Sequence, residues 1–341
     1  MINQYAGTLS DKDLLYDFLA VEVMEKILGF NSHKSVFDVF SLDNSRTVFR
    51  YVDRRSFVDL VGKFYGSKWI DGQQTGNPQL RAELMQREFD NLQELRALGL
   101  NTYPHCIVRP LAVNRLVSSV LVEEFVSGVR FDSYIWEAIN WGKGDELRRK
   151  LKDLAWFLAD LHNRSQKSDA ANQTRGLSYF DKIVDHLFYW QIISSSQRQY
   201  FFDLRNRWAA SGILGTSRLV LTHGDPIFPN FFCQGEHGII GIDMERLWAG
   251  DRAMDLGCIV AELKHLFYLN SHDIWGSEPY IQHFYESYFS YLPRDVEDFT
   301  TLTSRGRFYM GCYELRISRN AWLDLGYRKA LIDEAERCLR I

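Results

Sequence analysis

The chain has 341 residues, 46% hydrophobic and 25% charged, a globular composition long enough for two packed units. A net charge of −4 argues against a nucleic-acid-binding protein, and no apolar run is long enough to imply a membrane span. The odd set of five cysteines (Cys106, Cys233, Cys258, Cys312 and Cys338) has no CxxC spacing, which argues against a zinc or disulfide framework and suits reduced cytoplasmic thiols. The opening MINQYAGTLSDKD lacks the basic start and apolar core of a secretory leader.

Residues 10–28 read as a helix, with Ser10 and Asp13 resembling a capping box and Leu14, Phe18, Val21 and Ile27 along one face. Three strand candidates follow, Ser35–Leu42, Arg46–Val52 and Phe57–Tyr65, with turn-forming Asp43-Asn44-Ser45 between the first two. The third carries Lys63 among apolar and aromatic neighbours. Residues 78–98 form a strong helical pattern with Leu84, Leu92, Leu95 and Leu98 on one face. Glu88 lies on that same face, where an ionised carboxylate is costly unless paired, and Lys63 is the natural partner. Strands at Ile107–Asn114 and Val117–Val126 complete a five-stranded antiparallel sheet with one helix. Glu123 and Glu124 at the end of the last strand read on their own as solvent-exposed.

Beyond residue 127 the pattern is mainly helical. Leu147, Leu151, Leu154, Leu158 and Leu161 form a core seam over 145–162, and His162 at its end reads as a cap or packing residue. Residues 180–213 are aromatic-rich and helical. The stretch from Leu219 to Gly257 differs from all of this. An apolar run ends at Thr222-His223-Gly224-Asp225, a short loop leads to Asn230, and a hairpin over 231–242 ends on Asp243. Asp and Asn are poor strand formers, so a carboxylate, a carboxamide and a second carboxylate at strand ends call for a reason. Hard Mg²⁺ takes oxygen ligands, and Asn230 with Asp243 could supply them, leaving Asp225 to act on a hydroxyl. Each residue alone could be a turn former; the three together read as a site for phosphoryl transfer. The aromatic tail Trp275, Tyr280, Phe284, Tyr285, Tyr288, Phe289 and Tyr291, with Asp273, Glu278 and Glu286, reads first as core packing and second as a receptor for an ammonium group.

The ordered motifs HGDPIFPN, IDME and GDRAMDLG resemble those of the aminoglycoside phosphotransferase and choline kinase-like family. The resemblance implies an α+β, two-lobed protein-kinase-like fold, with a nucleotide-binding lobe over 1–126 and a helical lobe over 127–341 holding the acceptor pocket. It implies ATP and Mg²⁺ as cofactors and a small-molecule hydroxyl as acceptor, with no nucleic-acid or membrane partner. Asp225 would be the catalytic base, and Asn230 and Asp243 the metal ligands. Lys63, oriented by Glu88, would position the phosphates, and the Glu124 carbonyl and Val126 amide would bond the purine. Ser45, in place of a glycine-rich loop, could approach a phosphate or simply form a turn. His223, Glu245 and Asp255 would be supporting residues, Asp255 by bracing the loop at His223–Asp225. Arg252 stands where many relatives have proline, with no evident consequence. The alternatives are a nucleotide-binding scaffold without activity and a kinase acting on proteins. Where protein kinases have D-F-G this chain has Asp243-Met244-Glu245, which lacks the glycine pivot and implies a fixed metal loop.

Overall fold

The computed structural model describes residues 3–31, 35–42, 47–65, 69–70, 73–74, 77–294 and 296–341. The chain divides into two compact units, Met1–Gly128 with Ile240–Glu245, and Val129–Ile239 with Arg246–Ile341. The six residues Ile240–Glu245 therefore belong with the N-terminal unit, although they follow it by more than a hundred positions.

The first unit is built on an antiparallel sheet. Its strands are β1 (Asn3–Thr8), β2 (Phe37–Leu42), β3 (Val48–Asp53), β4 (Asp59–Phe64), β5 (Pro110–Asn114) and β6 (Val120–Glu124), in the order β1-β2-β3-β4-β6-β5. The five expected strands are present; β1 is an additional edge strand that the polar NQYAGT pattern does not announce. The leading helix differs from expectation in three ways. Asp13, not Ser10, caps it, accepting the Leu15 N–H at 2.9 Å. A short α1 (Leu14–Asp17) passes into a π-helix over Phe18–Ile27. The wider turn aligns residues four to five apart, so Leu15, Leu19, Val23 and Met24 are buried while Leu14, Val21 and Ile27 are exposed. The buried set packs on the sheet against Phe37, Tyr51, Leu60, Val120 and Val122.

Strand alternation then decides where Lys63 goes. Leu60 lies in the core under the leading helix, so Lys63, three residues on, takes the opposite face, together with Tyr65. Helix α2 (Pro78–Ala97) presents Ala82, Met85, Glu88, Leu92 and Leu95 as its buried residues. Leu84 and Leu98 are only half-buried, so the inward stripe lies one position beside the expected one, and Glu88 remains on it.

The second unit carries α3 (Asp132–Trp141), α4 (Gly144–Arg164), α5 (Gln173–Tyr189), α6 (Ser195–Ser211), α7 (Ala253–Ser271), α8 (Glu278–Ser290), α9 (Phe299–Ile317) and α10 (Leu325–Leu339). All five leucines of the α4 seam are fully buried. Two strands, β7 (Leu219–Thr222) and β10 (Trp248–Asp251), pair antiparallel with Thr222 opposite Trp248. Between them come β8 (Phe231–Gln234) and β9 (Gly238–Gly241), the expected hairpin. Helices α7 and α9 approach closely at Gly257, where a Cβ would lie 2.5 Å from that of Tyr309. The aromatic tail is mainly core: Phe284, Tyr285 and Tyr288 are buried, and Trp275 already faces the cations of Lys264 at 4.4 Å and Arg337 at 4.3 Å.

Candidate active site

The candidate residues fall in two clusters, one in each unit. In the first, the Lys63 ammonium bonds Glu88 Oε1 at 2.7 Å and also contacts the Asp243 carboxylate, with Glu245 Oε2 at 4.0 Å. The Tyr65 hydroxyl donates to the other Glu88 oxygen. Burial alone would pull the Lys63 ammonium down, but Glu88, Asp243 and Glu245 override it and hold Lys63 protonated well above the ordinary lysine value. Oxygens of Glu88, Asp243 and Glu245 lie within 4.8 Å of one another. Asp243 and Glu245 are partly open, with side chains 30% and 24% exposed, whereas Glu88 is sealed at 0%. A hard divalent cation fits the open pair by donor type, while Glu88 is committed to Lys63 and Tyr65.

The loop that carries Asp243 is held on both sides. Asp243 has a left-handed backbone, φ 63°, and Met244 behind it is fully buried. Asn91 of α2 donates its amide to the Met244 carbonyl at 2.8 Å, tying the loop to the helix that carries Glu88. A double-mutant cycle of Lys63→Met and Glu88→Leu is expected to be non-additive by about 0.5–3 kcal/mol, because either single change strands a buried charge. Urea denaturation of the four forms measures it.

In the second unit, the strand pair β7–β10 delivers the loop at 223–230. His223 N–H bonds Asp255 Oδ2 at 2.7 Å and Gly224 N–H bonds Asp255 Oδ1 at 3.1 Å. Asp255, on the first turn of α7, is fully buried. His162 Nε2 of α4 lies 3.1 Å from Asp255 Oδ2, and Tyr288 Oη of α8 lies 2.7 Å from His162 Nδ1. Burial pulls the His162 pKa down against the pull of Asp255, so the ring is neutral, donating from Nε2 and accepting the Tyr288 proton at Nδ1. Three helices thus converge on two backbone amides. Read from sequence as a cap or packing residue, His162 is a buried link in this chain. His223 itself is buried against Phe231, and neither ring nitrogen has a hydrogen-bond partner among the described residues.

Gly224 is required on two counts. Its φ is +82°, and a Cβ there would lie 2.1 Å from the Arg246 carbonyl oxygen. Gly224→Ala should cost roughly 1–3 kcal/mol, read by thermal denaturation, and displace the loop beside it.

Asp225 is nearly buried. Its Oδ1 accepts from Arg316 Nη2 of α9 at 2.8 Å, and Arg246 Nη1 lies 3.5 Å from its Oδ2. Asn230 spends its amide nitrogen on the Asp225 carbonyl at 3.0 Å, leaving its oxygen, the atom a hard cation would use, outside that bond. Neither arginine was singled out from sequence, since nothing local separates Arg316 from the other basic residues of α9. Nearby on α7, burial raises the Glu262 carboxyl to about 7, with Arg316 opposing and Asp225 adding to the shift. Between pH 4.5 and about 7 the folded chain holds a Glu262 proton that the unfolded chain has released. Stability from this group is therefore lost as pH rises through that window. Glu262→Gln should remove up to roughly 3 kcal/mol of that pH dependence, measured by denaturation across the pH range.

The remaining sequence-derived positions are placed as follows. Glu124 ends β6; its N–H bonds the Arg109 carbonyl at 3.0 Å and the Phe125 N–H bonds the Asp59 carbonyl at 3.2 Å. Neither bond uses the Glu124 carbonyl or the Val126 amide. Glu123 is buried, not exposed, and its charge acts on Lys63 and Glu88. Ser45 lies outside the described residues, as does Asn44. Arg252, expected to be inconsequential, is fully buried and donates to Gln166 at 2.7 Å.

The fold and sequence have identifiable relatives. Residues 39–296 match the model of the phosphotransferase enzyme family. No curated protein matches the chain. Among solved structures, an ethanolamine kinase of Plasmodium vivax superposes with a TM-score of 0.61 at 13% identity, covering 96% of this chain and 89% of that one. A streptomycin–ATP complex of an aminoglycoside phosphotransferase gives 0.57 at 12% identity, covering 98% and 100%. The choline kinase of Streptococcus pneumoniae gives 0.50 at 15% identity, covering 88% and 93%. None of the helices among the described residues is long and apolar enough to cross a membrane. With a sheet-based N-terminal unit, a helical C-terminal unit and a family match over most of its length, the chain belongs to the phosphotransferase enzyme family, in the aminoglycoside phosphotransferase and choline kinase-like superfamily.

Proposed function

We propose that the protein moves the γ-phosphoryl group of ATP to a hydroxyl of a small molecule. The observation that supports this reading is the Lys63 ammonium bound to both Glu88 and Asp243, residues 25 and 180 positions away. Nucleotide binding falls to the first unit and acceptor binding to the second. Lys63, kept cationic by its carboxylates, meets the α- and β-phosphates, and Glu88 fixes its direction. The Glu124 carbonyl and Val126 amide bond the purine, and Ser45 approaches the phosphates. Asp225 orients the acceptor hydroxyl and takes its proton late in the transfer. Asn230 and Asp243 would hold Mg²⁺, with Glu245 in support; a hard cation held there would supply positive charge against the charge developing on the phosphates. His223 and Asp255 keep the Asp225 loop in position. The five free cysteines suit a reducing compartment, and we assign the protein to the cytoplasm.

The test is product formation. Purified protein with Mg·ATP and a panel of amino alcohols, sugars and hydroxy acids should yield ADP and an acceptor heavier by one phosphoryl group in mass spectrometry. A thermal shift by Mg·ATP with no phosphorylated product from any acceptor would favour an inactive nucleotide-binding scaffold instead.

A further inference from the structure

The neighbours named above act on ethanolamine and choline or bind streptomycin, all of which carry cationic groups. The surroundings of Asp225 in this chain favour the opposite charge. Both of its carboxylate oxygens face guanidinium groups, Arg316 at 2.8 Å and Arg246 at 3.5 Å. An ammonium group close to a hydroxyl seated on Asp225 would be repelled by both.

Arg316 is not a loose surface ion pair. It lies seven residues beyond Tyr309 on α9, two turns along the same helix face, and Gly257 lets that helix pack directly on α7. Its side chain is 19% exposed, and its guanidinium stands 5.5 Å from the Tyr313 ring. Among the described residues, Asp225 is the one group that the Arg316 side chain is seen to hydrogen-bond, through Nη2. A guanidinium offers five N–H donors in a planar fork, a geometry that matches a carboxylate or phosphate. Glu262, whose carboxyl burial pushes up to about 7 with Arg316 opposing the shift, cancels this positive charge only in part near neutrality.

We propose that Arg316, assisted by Arg246, anchors an anionic group on the acceptor, so that the acceptor is a hydroxy compound bearing a carboxylate or phosphate near the reacting hydroxyl. This rests on the phosphotransferase reading above. The anion takes up the Arg316 fork, and Asp225 Oδ1 becomes available to the hydroxyl. The acceptor oxygen–phosphorus bond then forms as the bond between the γ-phosphorus and its bridging oxygen breaks. ADP keeps that electron pair, and the hydroxyl proton passes to Asp225. Arg316 is thus a specificity-determining residue.

The test uses the full chain and small probes that share a hydroxyl but differ in charge: glycerate, glycerol 3-phosphate, glycerol and ethanolamine. By titration calorimetry, glycerate or glycerol 3-phosphate should bind at least about tenfold tighter than glycerol or ethanolamine. A lead for glycerate points to a carboxylate acceptor, and one for glycerol 3-phosphate to a phosphorylated acceptor. Arg316→Met should abolish the preference while the thermal shift by Mg·ATP is retained. Arg316→Lys, which keeps the charge and loses the fork, should be intermediate, and it serves if the methionine variant does not fold. Equal or tighter binding of ethanolamine, or anion binding unchanged in both variants, overturns the proposal. Arg316-dependent anion binding without phosphoryl transfer would leave the anchor standing and remove the phosphotransferase reading. Phosphorylation of amines with none of anions would do the reverse.

Discussion

Asp225→Ala is expected to lower phosphoryl transfer by about 10²–10⁴-fold while Mg·ATP still binds. The argument is local. Asp225 follows a strand end, and its main chain is fixed by the Ile227 N–H at 2.8 Å and the Asn230 amide at 3.0 Å, both on its carbonyl. Its carboxylate is therefore presented from a rigid loop. Alanine removes the proposed proton acceptor and also leaves the buried, still charged Arg316 guanidinium without its carboxylate partner. Some loss of stability should accompany the loss of activity, and Asp225→Asn separates the two. An asparagine oxygen can still accept from Arg316, so folding should be nearly normal while transfer remains impaired. Retained turnover in both variants, with ADP release measured at saturating nucleotide, would sink the assignment of Asp225 as the base.

Asp255→Ala should be the most destabilising single change in the second unit, by roughly 3–5 kcal/mol in urea denaturation. The carboxylate accepts two backbone N–H groups and faces His162 Nε2, and alanine would leave three donors, two of them fully buried, without an acceptor. Asp255→Asn should recover little. Asparagine has one acceptor oxygen, and its NH₂ would point a donor at a donor. The loss should also reach activity, because the two N–H groups belong to His223 and Gly224, immediately ahead of Asp225. A variant as stable as the parent would show that the loop keeps its shape without this brace.

How much of this was legible in the sequence depends on the range of each interaction. Lys63 and Glu88 could be found because each breaks a local rule, one a charge in a β-prone run and the other a carboxylate on an apolar helical stripe. Asp225, Asn230 and Asp243 stand out in the sequence because their spacing sits within a single short stretch bounded by strand and turn signals. The leading helix was located but its inward face was misjudged, since the 3.6-residue period does not hold through a π-helix. The edge strand β1 carries no clean alternation, because Gln4, Tyr5, Ala6 and Thr8 are all exposed and no face of it has to be apolar.

The sequence by itself determined the motifs, their order along the chain and the elements that carry them, because motif spacing and hydrophobic period are local properties. Only the tertiary structure decided what surrounds them. Residues 240–245 join the first unit, so Asp243 meets Lys63. Helices α4, α7 and α8 meet, so Tyr288 and His162 reach Asp255. The packing of α7 and α9 at Gly257 brings Arg316 to Asp225 across 91 positions. No periodicity in a single segment carries such information, because these pairings are set by the way separate helices pack. That packing sets two guanidinium groups, Arg316 and Arg246, beside the Asp225 carboxylate.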